Sequence, residues 1–284
     1  MTTWLAPAKV NLTLMVGSAA AGGLHPIQSL MQTLDWGDLL RVDEGDEDHL
    51  EVEGADLPAG DDNLVWKAVA ALKEGIDLAL PPLHVHLEKR IPVAAGLGGG
   101  SADAAAMLAA LGRMLNLSPA VLRRVAPHIG SDVPAAFAGG SLWVEGFGER
   151  LSPFGVLSGF ALAVAVPDFP LLTADVYRRW DDLGEPRGSE FPSAALPPAL
   201  RRSVSFRNDL QPAALRVRPE LGDAISLLSK EWGRPVAMSG SGPSLFGYFV
   251  DDEEAEAAAR QVESRFAAAV GVDLSCDGPT EMTG

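Results

Sequence analysis

The chain has 284 residues, 47% hydrophobic and 21% charged, and a formal net charge of −16 from 38 acidic against 22 basic residues. That length accommodates two cores more comfortably than one. The lack of an 18-residue apolar run excludes a transmembrane helix, and the acidic balance without a basic stretch speaks against nucleic acid as a partner. One cysteine, Cys276, allows no internal disulfide and fits a reducing compartment. The opening MTTWLAPAKV lacks the basic and apolar regions of a secretory leader, so a cytoplasmic location is expected.

Residues 8–16 alternate, with Val10, Leu12, Leu14 and Val16 on one face and Asn11, Thr13 and Met15 on the other. This predicts a half-buried strand. Small residues over 18–25 predict a loop, and short strands are expected near 28–35, 39–43 and 49–53. A helix over 63–75, capped by Asp61 or Asp62 and ended by Gly75, precedes an alternating strand at 83–91. Residues 92–116 read as a glycine loop entering an Ala/Leu-rich helix, with Ser101 or Asp103 near its N-terminus. A helix over about 118–128 and a loop over 129–140 follow, and the Gly/Pro-punctuated stretch 146–159 marks a domain boundary.

Beyond that boundary a strand (160–166), a helix (173–182) and a connector rich in Pro, Ser and Arg (184–198) are expected. Helices near 208–215 and 219–231, a strand–glycine turn–strand unit (235–250), a helix (252–269) and a last strand (272–275) complete the chain. There is no internal repeat and no regular strand–helix alternation. The fold class is therefore α+β in two domains, 1–155 and 156–284.

Gly96, Gly98, Gly99 and Gly100 lie between the strand and the helix. Glycines let backbone N–H groups approach phosphate oxygens, and a helix N-terminus adds about half a positive charge. Such local dipoles answer the difficulty that an acidic protein repels a polyphosphate. The alternative is a tight connector, but four glycines in five positions are costly conformationally for that purpose alone. The P-loop pattern fails because no Lys-Ser/Thr follows the glycines, and the dinucleotide pattern fails because Ser101 replaces its last glycine. No H-R-D-L or D-F-G appears.

The run PVAAGLGGGSADAA (92–105) resembles the second motif of the GHMP kinases. APAKVNLTL (6–14) is similar to that family's first motif and SGSGPSLFG (239–247) to its third, and the three stand in the family's order. HPIQSL (25–30), DNLVWKA (62–68), EKRIPVAAGLGGGSADAAA (88–106) and GSDVPAAF (130–137) resemble the branch whose acceptor is a cytidine diphosphate-linked methylerythritol, in the non-mevalonate isoprenoid route. The 184–205 connector matches no part of the pattern.

The resemblance implies a two-domain kinase with its active site in the cleft between domains, using ATP with Mg²⁺. It assigns Asp132 as the base and Lys9 as its catalytic partner. Around the nucleotide it implies Asn63, Lys89, Pro92, Ala95, Gly96, Leu97, Gly98, Gly99, Gly100, Ser101 and Ala102. Around the acceptor it implies Asn11, His25, Thr173, Tyr177 and Gly240, with His25 against the cytosine and Tyr177 on its remaining aromatic face. Lys89, at the end of a strand, is expected to reach phosphate or ribose, with Arg90 beside it as further positive charge. Asn63 and Ser101 read equally well as helix caps, and a cap is also the plain alternative for Asp132. Leu24 stands where the family commonly has tyrosine, and Ala102 where many relatives have serine. His84 and His86 share a strand face without further ligands and read as surface residues rather than metal ligands. A small-molecule partner, no nucleic acid, no membrane and a monomer or weak homodimer are expected.

Overall fold

The computed structural model describes residues 2–20, 22–76, 80–201 and 205–282. The first sheet contains β1 (Thr2–Val16), β2 (Ile27–Glu44), β3 (His49–Glu53), β4 (Leu83–Glu88), β5 (Ser141–Gly146), β6 (Arg150–Pro153) and β11 (Thr280–Met282). Its strands run in the order β11-β1-β2-β4-β3, and β5 pairs with β2 and β6. The second contains β7 (Ala161–Val166), β8 (Ala237–Met238), β9 (Leu245–Phe249) and β10 (Ala268–Val272), in the order β10-β7-β9-β8. Helices α1 (Leu64–Ile76), α2 (Gly99–Met114), α3 (Pro119–Val125) and α4 (Val133–Ala138) belong to the first half. Helices α5 (Thr173–Asp182), α6 (Gln211–Val217), α7 (Glu220–Trp232) and α8 (Asp252–Val262) belong to the second.

The strands expected at 28–35 and 39–43 are one strand. β2 pairs with β5 through Ile27–Gln32 and with β4 through Leu39–Glu44. Gly37 does not end it: it lies opposite Pro7 of β1, where an added Cβ would be 2.1 Å from the Ala6 carbonyl oxygen. This glycine serves a close backbone approach inside a strand rather than a turn.

β1 is buried on both faces over Val10–Leu14, not on one. Its polar face is covered by distant segments, with Thr13 Oγ1 donating to the carbonyls of Ser205 and Arg207. The loop expected over 129–140 contains α4. α1 is capped by Asn63, whose Oδ1 accepts from Val65 N, and not by Asp61 or Asp62. Gly75 lies inside α1 rather than ending it. The helix expected to reach 269 stops earlier, because Ala268–Val272 pairs as β10 with β7. An alanine-rich run with helical propensity is here overridden by the sheet edge that receives it.

Four apolar clusters are found among the described residues, a small one joining Met31, Ala135, Leu142 and Val144 and three larger ones. One packs α1 and α2 on the first sheet, and a second packs α5–α8 on the second sheet. The third is shared: Ala8, Val10, Leu12, Leu30 and Leu34 from the first half meet Leu162, Val164, Phe246 and Tyr248 from the second. Among the described residues no helix is long and apolar enough to cross a membrane.

Candidate active site

The glycine loop spans 92–98, between β4 and α2. Gly98 occupies the N-cap of α2 in a left-handed conformation (φ 73°), with no side chain capping the helix. The first amides of α2 are therefore not claimed by a side-chain cap, the arrangement that receives an anion at a helix start. Neither Ser101 nor Asp103 is the cap that the sequence suggested. Ser101 faces the cleft in the first turn, and Asp103 points into the protein.

The loop is pinned along its length. Lys9 N donates to Leu97 O at 3.0 Å, Ser239 Oγ to Gly96 O at 3.1 Å and Ser244 N to Ala95 O at 3.1 Å. Gly96 has φ 78°, and a Cβ there would lie 2.7 Å from Ser239 O and 2.9 Å from Gly242 O. The 239–244 turn therefore packs backbone to backbone on the loop, which requires a residue without a side chain.

Between the two halves opens a cleft of about 1300 Å³, lined by the loop, β1, α5 and the 130–134 turn. Lys9 and Asp132 converge there from opposite ends of the first half. Lys9 Nζ lies 2.6 Å from Asn11 Oδ1 and 3.7 Å from Asp132 Oδ2, and its aliphatic stem lies against Gly98. Asp132 stands at the N-cap position of α4 but makes no side-chain capping bond, so the cap alternative does not describe it. Its side chain is 37% exposed against 11% for Lys9, leaving the carboxylate open to the cleft. Asn11 is buried, and its amide donates to Ser29 Oγ at 2.8 Å, which fixes the oxygen toward Lys9.

Thr173, Tyr177 and Gly240 also line the cleft, as do Pro92, Ala95, Leu97, Gly99 and Gly100. His25 is held at both ring nitrogens, by Gly17 O at 3.1 Å and Asp181 Oδ2 at 3.4 Å. Its ring centroid is 5.2 Å from Tyr177 and 5.4 Å from Trp180. His25 and Tyr177 thus touch each other rather than facing across a slot, which for a stacked base needs about 7 Å, twice a contact distance. Burial, with the charge of Asp132 adding to it, pushes the Tyr177 phenol up to about 12, so it stays protonated at neutral pH.

Three expectations are corrected. Asn63 does not line the cleft: its oxygen caps α1 and its nitrogen donates to Pro58 O, and Leu57 and Leu64 line that wall instead. Ala102 faces the core, with its amide donating to Gly98 O. Lys89 does not offer a free ammonium to phosphate. It is buried between Asp38 and Asp103, pairing with both, and Arg90 pairs with Glu88 at 2.8 Å. The extra positive charge expected at 89–90 is thus already matched by carboxylates.

Sequence reasoning missed Arg178, Asp181, Phe147 and Glu149, which line the cleft. Asp181 lies four residues beyond Tyr177 and three beyond Arg178 on α5, spacings that make it a surface neighbour of each. Among the described residues there is no group of three His, Cys, Asp or Glu side chains that could hold a metal ion.

Burial, against the attraction of Lys89 and with repulsion from Asp38, raises Asp103 to about 8. The native state then binds a proton that the unfolded chain releases near pH 4, so stability falls as pH rises from about 4 to about 8. Urea unfolding from pH 5 to 9 should show this fall, and Asp103→Asn should flatten it. An equal slope in both proteins would contradict the assignment.

The chain matches the description of the GHMP kinases N terminal domain over residues 63–140 and that of the GHMP kinases C terminal over 193–268. It is 39% identical over 275 residues to a 4-diphosphocytidyl-2-C-methyl-D-erythritol kinase of Caulobacter sp. (strain K31), covering 91% of this chain and 92% of that protein. A protein of the same description from Mesorhizobium japonicum is 38% identical, with 93% and 92% covered. A crystal structure of 4-(cytidine 5'-diphospho)-2C-methyl-D-erythritol kinase superposes with a TM-score of 0.78 at 33% identity, over 96% of this chain and 99% of that one. A homoserine kinase from Cytophaga hutchinsonii, 16% identical with a TM-score of 0.69 over 99% and 97% of the two chains, shares the fold. With its loop, turn and lysine–aspartate pair in one cleft and these relatives along nearly its whole length, the chain belongs to the GHMP kinase family, on the branch of the 4-diphosphocytidyl-2-C-methyl-D-erythritol kinases.

Proposed function

We propose that the protein transfers the γ-phosphoryl group of ATP to the 2-hydroxyl of 4-diphosphocytidyl-2-C-methyl-D-erythritol, in the synthesis of isoprenoid precursors. The observation that carries this reading is the convergence of Lys9 and Asp132 in a cleft that an uncapped helix start also lines. The 2-hydroxyl oxygen attacks the γ-phosphorus and its proton passes to Asp132, while the bond to the β,γ-bridging oxygen breaks and ADP leaves. Lys9, held by Asn11, donates toward the acceptor oxygen and orients the Asp132 carboxylate. The amides of residues 99–101 receive the phosphates, and Pro92, Ala95 and Leu97 shape the wall beside them.

A Mg²⁺ ion brought by ATP would take most of its ligands from the phosphates and would supply charge neutralisation there. Ser101, in the first turn of α2 and facing the cleft, suits a single protein contact to it. At the acceptor end, His25, Thr173, Tyr177 and Gly240 bind the cytidine and polyol, with the base on the outer face of one ring of the His25–Tyr177 pair. Leu24, 64% exposed at the cleft mouth, offers an apolar edge where relatives carry a ring.

We place the domain boundary at 155/156 and the reaction in the cytoplasm. A monomer or a weak homodimer is the state we propose for the protein. The test is turnover of the cytidine diphosphate substrate beside bare methylerythritol phosphate. A kcat/KM at least 100-fold higher for the former is expected, and equal values, or turnover of neither, would overturn the reading.

A further inference from the structure

Beneath the glycine loop lies a cluster that neither phosphate chemistry nor the acceptor accounts for. Asp38, on β2, is fully buried, and Lys89 and Asp103 are 9% and 2% exposed. Asp38 Oδ1 accepts from the amides of Arg90 at 2.6 Å and Ile91 at 2.8 Å, and its Oδ2 pairs with the Lys89 ammonium. That ammonium donates onward to Asp103 Oδ2 at 2.7 Å. Arg90 and Ile91 are the last residues before the loop, and Asp103 lies in the second turn of the helix after it. A Cβ on Gly99 would sit 3.3 Å from Lys89 Nζ and 3.4 Å from Asp38 Oδ2, so the cluster touches the start of that helix directly.

We infer that Asp38 and Asp103 are positioning residues for ATP: joined through Lys89, they tie the entry of the glycine loop to its exit and so set the span that the phosphates must fit. The loop itself is held from elsewhere, at Leu97 by Lys9 N and at Ala95 and Gly96 by the 239–244 turn. The cluster acts on the residues that flank it. A purely structural contact is served as well by apolar side chains of equal volume, because burying charges costs several kcal/mol of desolvation each. What directed charges add is a specified geometry. Asp103 Oδ1 is buried without a hydrogen-bond partner, so this cluster is held at some cost.

The inference rests on ATP being the co-substrate, and its test separates the two ideas. Asp38→Asn keeps the acceptor for the Arg90 and Ile91 amides but turns an N–H toward the Lys89 ammonium. The expected result is a rise of at least 10-fold in KM for ATP and in the calorimetric Kd for ATP. The acceptor KM should stay within twofold and kcat at saturating ATP within threefold. Asp103→Leu, which is similar in shape and removes the acceptor that Lys89 Nζ meets on α2, should raise the same two ATP constants about 3–10-fold and serves if Asp38→Asn does not fold. ATP constants within twofold of wild type in a folded Asp103→Leu protein, whatever its melting temperature, would overturn the inference. A wild-type protein that fails to bind ATP would instead overturn the kinase reading.

Discussion

Asp132→Ala is expected to lower kcat by about 10²–10⁴-fold, the range of a single positioned general base, while the Kd for ATP stays within twofold. The asymmetry follows from placement. The carboxylate lies on the acceptor side of the cleft, 3.7 Å from the Lys9 ammonium, and makes no capping bond to α4 whose loss would disturb the fold. On the proposed reading the nucleotide contacts come from the loop where it enters α2. Asp132→Asn separates two accounts of the same loss. It can accept a hydrogen bond and orient the hydroxyl, but it cannot take the proton. A kcat close to that of the alanine variant assigns proton removal to Asp132, and near wild-type turnover would defeat the base assignment. Single-turnover measurement at saturating ATP is the check, because it is free of product release.

Gly96→Ala should be the most damaging single-methyl change in the loop. Alanine at φ 78° pays about 1–2 kcal/mol for the left-handed conformation alone. The new Cβ would also stand 2.7 Å from Ser239 O and 2.9 Å from Gly242 O, and both obstacles are backbone, which cannot rotate away. Relief requires the loop and the 239–244 turn to separate. That breaks the bond from Ser239 Oγ to Gly96 O and shifts the helix start that receives the phosphates. The expected outcome is a lower melting temperature together with at least a 10-fold weaker Kd for ATP. Gly60→Ala is the control, since a Cβ there meets nothing within 4 Å. Equal ATP affinity in the two variants would show that the contact between loop and turn does not matter for nucleotide binding.

The parts of the fold that the sequence revealed are those with local causes. The glycine run into α2, the alternation of β4 and the amphipathic α5 are periodic patterns with clear ends, and each stands close to where it was expected. Gly37 misled because a glycine required by a neighbouring backbone looks, in one dimension, like a glycine required by a turn. The alanines of 267–269 misled because an edge of β7 decides their conformation from a hundred residues away.

The site divides in the same way. Lys9, Asp132 and the loop glycines are brought together by the fold, and the motif pattern had already singled them out. Lys89 shows where the reading stopped: a lysine at a strand end looks free until Asp38, 51 residues earlier, is placed beside it. A signal was present in Asp103, an acidic residue set among alanines and leucines on a helix with a buried face. A carboxylate in that setting needs a buried cation, and Lys89, 14 residues earlier, supplies it.

The apolar seam common to both sheets also bears on how this enzyme moves. Swinging the two halves apart would wet Leu162, Val164 and Phe246 on one side and Val10, Leu12 and Leu34 on the other, so a wide hinge motion is opposed at its axis. Substrate must then come and go by adjustments at the mouth, where Leu24 and Phe147 stand exposed on short turns.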